Sequence, residues 1–453
     1  MLHSSLVIRA LSLLAASTNP DVATATLRKV TFRLIPFLFL LYIVAWLDRV
    51  NVGFAALQMN SDLGFSSAAF GFGSGVFFLG YCLFEVPSNL VLHRVGARRW
   101  ISRIMISWGA ISAAMMFVRS TPAFYILRFL LGAAEAGFFP GVVYYLSYWY
   151  SEGQRARAIA AFMTAVPVSG VIGGPLSGAL LSLNGIWGLA GWQWLFLVEG
   201  LPAILLGVIV LLYLDERPEE ARWLSSVERD WLRNELTNKQ NPGSAAQSIG
   251  ILAALTNATI WQLGIIFLFA AVGFYGYSFW APLVIKSLTR SSDVKVGIIL
   301  GAISSVTIIL MALNSAHSDR TDERPWHVAV PLLIMAAGFF GCTLLSEPTL
   351  AVLSLALIPI GHCAAYGPFW SMPTRFLAGA PAAAGVALVV TIANVGGFLG
   401  PTLVGAMEDR AGAHGSAFMV LGTCAVIAAL LALRLRRVAV LRSAPAGELV
   451  GDS

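Results

Sequence analysis

Twelve long apolar stretches, separated by short charged or Gly/Pro-rich breaks, limit the folds open to this 453-residue chain more than any other feature. A helix needs roughly 20 apolar residues to cross the hydrocarbon core of a bilayer, and each stretch supplies them. Only 11% of the residues are charged, too few for a water-facing surface. The sequence therefore predicts an all-α integral membrane protein. The predicted spans lie near residues 33–58, 68–92, 98–118, 122–149, 156–183, 191–214, 258–286, 295–316, 326–346, 349–371, 382–407 and 414–434.

The basic residues predict the orientation in the membrane. Most of them lie in loops on one side, beginning with Arg28 and Lys29, whereas the other side has few, such as Arg119 and Arg410. Since loops rich in Lys and Arg stay in the cytoplasm, both termini are predicted to be cytoplasmic. The net charge of +6 is then a topology signal, and we expect contact with membrane lipid and no nucleic-acid partner. The basic segment 286–295 does not follow this rule.

A long polar stretch divides the chain into two bundles of six helices. Its first part predicts an amphipathic helix whose apolar side holds Trp223, Leu224, Trp231 and Leu232. The predicted domains are a disordered tail at 1–26, an N-terminal bundle at 27–214, a cytoplasmic central loop at 215–257, a C-terminal bundle at 258–437 and a disordered tail at 438–453.

The two bundles look like repeats of one another. Arg94 and Arg320 lie 226 residues apart, each in the turn after the second helix of its half. Pro175 and Pro401 share the same offset of 226 residues. Duplicated, pseudo-symmetric halves are typical of transporters whose substrate binds at the repeat interface near the middle of the membrane.

Ionisable side chains within the spans are costly in lipid and so indicate function. Asp48 and Arg49 lie in the first span, while Arg128 and Glu135 lie two helical turns apart on one face of the fourth. If both spans line one cavity, two guanidinium groups and two carboxylates meet there.

Arg binds a carboxylate through paired hydrogen bonds and stays charged when buried, which indicates a carboxylate substrate. An acid whose Arg partner is taken by that substrate binds a proton, which couples the two movements. The alternative is a set of static ion pairs that brace the two helices.

The remaining charged candidates have more than one interpretation. Glu85, close in sequence to Arg94, is predicted to form a gate or packing ion pair. Arg94, Asp319 and Arg320 either mark topology or hold helix ends together until the cytoplasmic mouth opens. Glu199 in the sixth span is either a third proton site or a hydrogen-bonded helix contact.

The second half offers polar but uncharged candidates. Tyr275 and Asn394 lie near helix centres and are predicted ligand contacts, and His362 is either a proton relay or a core histidine. The four cysteines lack the spacing of a metal site, and no nucleotide motif or catalytic constellation is present. We therefore expect no cofactor and no enzymatic activity.

Several motifs together resemble the major facilitator superfamily and, within it, the anion:cation symporter family. The resemblance extends from about residue 24 to 437 and is closest to the branch of tartrate, phthalate and hydroxyphenylacetate transporters. The motifs are Trp46–Asn51, Tyr81–Asn89, Arg94–Trp100, Arg128–Phe138, Trp194–Gly200 and Ala221–Leu224.

The resemblance implies proton-driven uptake of a small organic carboxylate, including sugar acids, by alternating access across a bacterial inner membrane. It places substrate contacts on Arg49, Tyr81, Arg128 and Asn394. It gives the proton-coupling roles to Asp48 and Glu135. In the turn after the second span the family usually has Gly and Asp where this chain has Asn89 and His93, so the gate of the first half differs in detail.

The partners that we expect are therefore a carboxylate, protons and lipid, with the protein acting as a monomer. The alternative function is exchange or export of a carboxylate without proton coupling, which the same fold supports.

Overall fold

The computed structural model describes residues 20–237, 255–373, 379–411 and 415–443. Within these ranges, twelve helical segments are long and apolar enough to cross a membrane, which confirms the predicted all-α architecture. Most of the predicted N-terminal tail, residues 238–254 of the central loop and the chain beyond 443 lie outside the described residues. The boundaries predicted for these segments stay predictions.

The first half contains eight described α-helices because spans 4 and 5 each consist of two shorter helices. These helices are α1 Pro20–Leu63, α2 Ser67–Val95, α3 Ala97–Ala114, α4 Thr121–Glu135, α5 Phe138–Ser147, α6 Glu152–Met163, α7 Ala165–Leu181 and α8 Gly191–Tyr213.

A short helix, α9, follows the first half, and six long helices make up the described part of the second. They are α9 Ser226–Thr237, α10 Ala258–Thr289, α11 Asp293–Thr321, α12 Arg324–Leu344, α13 Pro348–Trp370, α14 Gly379–Ala411 and α15 Gly415–Ser443.

Equivalent helices pack together in the two halves. In the first half α3 packs on α8 and α2 on α4, and the matching pairs in the second half are α12 with α15 and α11 with α13. The halves contact each other through α2 with α14 and α7 with α11. This pairing agrees with the repeat that the shared offset predicts.

The halves approach each other closely at the end of the molecule away from Pro20 and Ser443, the first and last residues that the structure describes. A Cβ atom added at Gly75 of α2 would lie 2.7 Å from the carbonyl oxygen of Phe398 in α14. Gly178 of α7 lies equally close to the Asp293 carbonyl at the start of α11. Glycine is needed at such positions because a side chain would separate the two backbones.

Two hydrogen bonds join the halves at the same end. The Gln58 amide donates to Asp293 over 2.8 Å, and the Ala68 backbone N–H donates to Asp409 over 3.1 Å. The structure is therefore closed at this end.

The central segment differs from the prediction in one respect. The helix α9 begins only at Ser226, so Trp223 and Leu224 lie in the turn before it. Trp223 still packs on the first half, since its ring stacks on that of Trp149 with centroids 5.6 Å apart. The buried Leu232 fastens α9 to the same surface.

Candidate functional site

The helices α1 and α4 bring two of the predicted charged residues into direct contact. Arg49 forms an ion pair with Glu135, whose side chain is only 2% exposed. Both groups lie within spans, and the Arg49 side chain is only 11% exposed. The predicted juxtaposition of spans 1 and 4 is therefore present in the structure.

A break in span 4 places Glu135 at a helix end. The helix α4 stops at Glu135, and Gly137 adopts a left-handed φ of 88° that starts the turn into α5. The backbone carbonyl of Ala136 accepts a hydrogen bond of 2.6 Å from Ser88, which satisfies a polar group that the break leaves buried. Broken helices at mid-membrane are typical of ion and substrate sites.

Arg128 is fully buried and has no carboxylate within ion-pair distance among the described residues. Its guanidinium donates only to the backbone oxygens of Gly73 and Ser74, over 3.4 and 3.3 Å. Its Nη1 atom has no hydrogen-bond partner. A buried cation with an unused donor is costly, and an anionic ligand would remove that cost.

Aromatic rings connect the two arginines. The ring centroid of Phe77 lies 5.4 Å from the Arg49 guanidinium and 5.1 Å from that of Arg128. The rings of Trp46 and Tyr81 lie 5.1 and 5.3 Å from Arg49. Such rings stabilise a cation without neutralising it, so they leave the charge of Arg128 available to a ligand.

The second half of the chain reaches this site through Tyr275 of α10. Its ring contacts that of Phe78 with centroids 4.5 Å apart, and its hydroxyl is near enough to Arg49 to interact with it. The predicted candidates Arg49, Tyr81 and Tyr275 therefore lie together. Asn394 makes no hydrogen bond to them, but its amide nitrogen is buried without a partner and is an available donor.

Asp48 does not lie with the arginines, although the sequence suggested one shared chamber. Its carboxylate accepts hydrogen bonds from Trp108 and Ser112 of α3, over 2.9 and 2.7 Å. Neither arginine lies within 4 Å of it. The predicted group of four charged residues is therefore divided between two places, because Asp48 faces α3 while Arg49 faces α4.

Asp48 belongs to a second polar cluster that the sequence reasoning did not assemble. The Asn51 amide donates to Asp48 over 3.4 Å and also interacts with Glu199 of α8. Ser177 of α7 donates to Glu199 over 2.8 Å. The spacing of Asp48 and Asn51, three residues on one helical face, was a usable sequence signal for this cluster.

The predicted gate residues of the first half are arranged differently from the expectation. Glu85 forms no ion pair with Arg94, and the charge that acts on it is that of Arg49. Arg94 is exposed. The turn after α2 is held instead by Glu216, which accepts hydrogen bonds from the backbone N–H groups of Ala97 and Arg98 over 2.6 and 3.0 Å.

The equivalent turn of the second half contains an ion pair of its own. Asp319 pairs with Arg324 over 2.7 Å, while Arg320 is exposed. The two halves therefore use different residues at equivalent turns.

A cavity of about 110 Å³ lies between the two halves. Trp46 and Ser177 line it from the first half, so it touches the surroundings of both polar clusters. Phe274 and Cys363 line it from the second half. His362 stacks on Phe274 with centroids 4.1 Å apart and an interplanar angle of 11°, as a core aromatic residue would.

The match to known proteins follows this architecture. A family model described as Major Facilitator Superfamily matches residues 38–401. The chain belongs to the major facilitator superfamily. Proteins of this superfamily are transporters, which confirms the predicted transporter class.

Two relatives of this superfamily member match along nearly the whole chain. A protein from Agrobacterium vitis named "Putative tartrate transporter" is 48% identical, covering 93% of this chain and 97% of the relative. A protein from Pseudomonas putida named "Putative metabolite transport protein NicT" is 43% identical, covering 93% and 97%. These names are consistent with the anion:cation symporter branch that the motifs indicate.

A solved structure supports the superfamily fold. The inward-facing, occupied structure of a bacterial homologue of the human lysosomal transporter Spinster superposes with a TM-score of 0.73 at 20% identity. The match covers 89% of this chain and 96% of the solved one.

Proposed function

We propose that this protein takes up a small organic carboxylate together with protons across a bacterial inner membrane. The observation that carries the proposal is Arg128, a buried guanidinium with no carboxylate partner in the described part of the chain, next to the Arg49–Glu135 ion pair. Hydrogen bonds between charged groups contribute about 1.5–3 kcal/mol, so an anion gains substantially by binding here. The name of the 48% identical relative supports a hydroxylated acid such as tartrate.

The ion pair provides the coupling. When Glu135 is ionised it holds Arg49, and a substrate carboxylate must compete for the same guanidinium. A proton on Glu135 removes that competitor, so Arg49 turns to the substrate and the two ligands bind together. Asp48 lies outside this pair, and its proposed proton-coupling role depends on the cluster around Asn51.

The distribution of charge orients the substrate. Both arginines belong to the first half, so the carboxylate end binds there. The second half presents uncharged groups such as Tyr275 and the cavity-lining Ser278 and Thr307. Once Glu135 carries a proton, two guanidinium groups are available, which suits a dicarboxylate. The hydroxyl groups of the second half suit a substrate whose central carbon atoms carry hydroxyl groups.

The test compares the wild type with Glu135→Gln in liposomes that contain purified protein and a tartrate gradient or a pH gradient. The wild type is expected to accumulate labelled tartrate when the outside is acidic. The variant should accumulate much less tartrate, because the proton that Glu135 carries is no longer coupled to transport. It should still exchange external for preloaded tartrate, because substrate binding and the conformational change remain. Glu347→Gln, at an exposed helix start, is the matched control.

Two outcomes would overturn the proposal. Uphill uptake by Glu135→Gln at the wild-type rate would remove the coupling role of the ion pair. A wild type that exchanges tartrate but ignores the pH gradient would instead identify an exchanger. If tartrate is not transported, the same assay is repeated with phthalate, hydroxyphenylacetate and a sugar acid, and failure with all four contradicts the substrate class.

A further inference from the structure

Three buried polar residues on two helices form a cluster that the coupling scheme above does not use. Asp48 and Asn51 of α1 are each 1% exposed, and Glu199 of α8 is 4% exposed. The Asn51 side chain interacts with both carboxyl groups and so links them. Two acids that share one amide, away from water, need a reason to be there.

No basic side chain of the described residues lies within ion-pair distance of this cluster, although Arg128 and Glu135 of α4 act on Asp48 electrostatically from a greater distance. The helix α8 packs on α1, α3 and α7. From α1 only Asp48 and Asn51 face Glu199 with polar groups, and from α7 only Ser177 does. From α3, the residues in contact with the backbone next to Glu199 are Gly109 and Ala113. Two neighbouring carboxylates in such surroundings cannot both be ionised, so the pair must hold a proton.

The hydrogen bonds show which acid holds it. Asp48 accepts from Trp108, Ser112 and Asn51, which are donors that favour the ionised form. Glu199 accepts a strong hydrogen bond only at Oε1, from Ser177, and its Oε2 atom has no partner. The Oδ1 atom of Asn51 is also a buried acceptor without a partner. A proton on Oε2 of Glu199 would turn that oxygen into a donor, which is what an acceptor such as Oδ1 of Asn51 lacks.

We infer that Asp48, Asn51 and Glu199 form a second proton-binding site, separate from the Arg49–Glu135 pair, in which Glu199 carries the proton while Asp48 is ionised. This inference rests on the proposed function. Ser177 connects the site to the cavity, since it donates to Glu199 and also lines the space between the halves. One transport cycle then moves a proton at each of the two sites.

A metal cation fits this cluster poorly. Cations such as Na⁺ or Ca²⁺ need several oxygen atoms with free lone pairs directed at one point. Here N–H and O–H donors occupy the oxygens of Asp48. The chemistry therefore favours a proton.

The first experiment measures protonation without transport. Infrared difference spectra of the purified wild type between acidic and alkaline pH should show the carbonyl band of a protonated, buried carboxyl group. Glu199→Gln should lose the part of that band that belongs to Glu199 and keep the part that belongs to Glu135. Glu135→Gln should keep the Glu199 part, and Glu347→Gln should keep both. An unchanged band in Glu199→Gln would overturn the inference.

If Glu199→Gln does not fold, Ser177→Ala provides a second test of the inference. This variant removes a donor that favours ionised Glu199, so the band should persist to higher pH than in the wild type. A midpoint that stays in place would contradict the assignment to Glu199.

The second experiment counts protons per substrate in liposomes from the reversal potential of tartrate flux under set pH gradients. Glu199→Gln should move about one proton fewer per substrate than the wild type. If the wild type is proton-driven and Glu199→Gln shows the same proton-to-substrate ratio, this inference alone is contradicted. A wild type that ignores the pH gradient sinks the proposed function instead. Uptake driven by Na⁺ and abolished in Glu199→Gln would show that the site binds a metal cation.

Discussion

The two buried arginines have different surroundings, and the difference explains why both are needed. Arg49 already has an anionic partner, Glu135, which it exchanges for a ligand. Among the described residues, Arg128 donates hydrogen bonds only to backbone carbonyls and lies near the rings of Phe77 and Phe279, so no ion pair neutralises its charge in the absence of a ligand. Arg128 therefore provides affinity for the carboxylate substrate, and Arg49 couples the binding of that substrate to the proton on Glu135.

The first prediction concerns Arg128→Lys. A lysine keeps the charge but loses the planar pair of donors, so tartrate binding should weaken about 10- to 100-fold, which corresponds to about 1.5–3 kcal/mol. Isothermal titration calorimetry on the purified protein measures this. Arg99→Lys, an exposed basic residue of α3, should bind normally. Wild-type affinity in Arg128→Lys would refute the contact.

The second prediction concerns the pH dependence of binding. As the pH rises, Glu135 ionises and holds Arg49, so tartrate affinity should fall, by up to about tenfold per pH unit for each linked proton. In Glu135→Gln the affinity for tartrate should fall less steeply with pH, by the contribution of one linked proton. This variant should also bind tartrate more tightly than the wild type at alkaline pH. Parallel slopes in the two proteins would contradict the competition for Arg49.

Two elements show how helices, rather than single residues, arrange the site. The break after α4 places Glu135 at a helix end, and the glycines of α2 and α7 allow the halves to close on each other. Near the start of α1, the capped first turn of α9 is held against the first half of the molecule. Ser225 and Glu228 exchange hydrogen bonds of 3.3 and 2.7 Å across the first turn of that helix, and Lys29 pairs with Glu228 over 3.1 Å.

The third prediction concerns closure of the two halves. In Gly178→Ala the new Cβ would lie 2.7 Å from the Asp293 carbonyl oxygen, where only a backbone shift can relieve the contact. Overpacking of this kind costs about 1–3 kcal/mol, so the halves should separate at this end more often. Distances between spin labels on α7 and α11 measure the shift. Gly153→Ala, which has open space around it, should leave the distances unchanged.

The fourth prediction concerns α9 and acid. Burial raises the pKa of Glu228, but hydrogen bonds from Ser225 and Lys29 outweigh burial and hold the pKa below its ordinary value. Ionised Glu228 therefore stabilises the capped, docked helix at neutral pH. That contribution is lost as the pH falls through the folded-state value.

Hydrogen–deuterium exchange of the α9 amides, corrected for the intrinsic effect of pH, tests this prediction. The wild type should lose protection in acid, below about pH 4.3, the usual value for a glutamate. Glu228→Gln should show weak protection of the α9 amides both at neutral pH and in acid. If the α9 amides of the wild type are equally protected at neutral pH and in acid, the prediction is contradicted.

The molecule as a whole is closed at the end away from its termini, where glycine contacts and two hydrogen bonds join the halves. Alternating access then predicts that the cavity is reached from the side on which the termini lie, which the loop charges indicate to be the cytoplasm. Cys363 lines that cavity and can report on it.

The fifth prediction therefore concerns labelling of Cys363. A membrane-impermeant thiol reagent should modify it from the side of the termini, and tartrate should protect it because the ligand fills the same space. Inside-out and right-side-out vesicles distinguish the two sides. Cys363→Ser is the control that removes the signal. Labelling from the opposite side only would contradict either the orientation or the closed end.

The twelve spans, the repeat and the superfamily motifs could be predicted from the sequence because length, apolarity and spacing are local properties of the chain. Arg49 and Glu135 were expected to meet only if spans 1 and 4 line one cavity, and the pairing of these two residues in particular comes from the structure. The place of Asp48 did not follow. Asp48 and Arg49 are neighbours in sequence, but successive residues of a helix point about 100° apart. Their partners depend on which helices pack on each side of α1, and that packing placed α3 against Asp48 and α4 against Arg49.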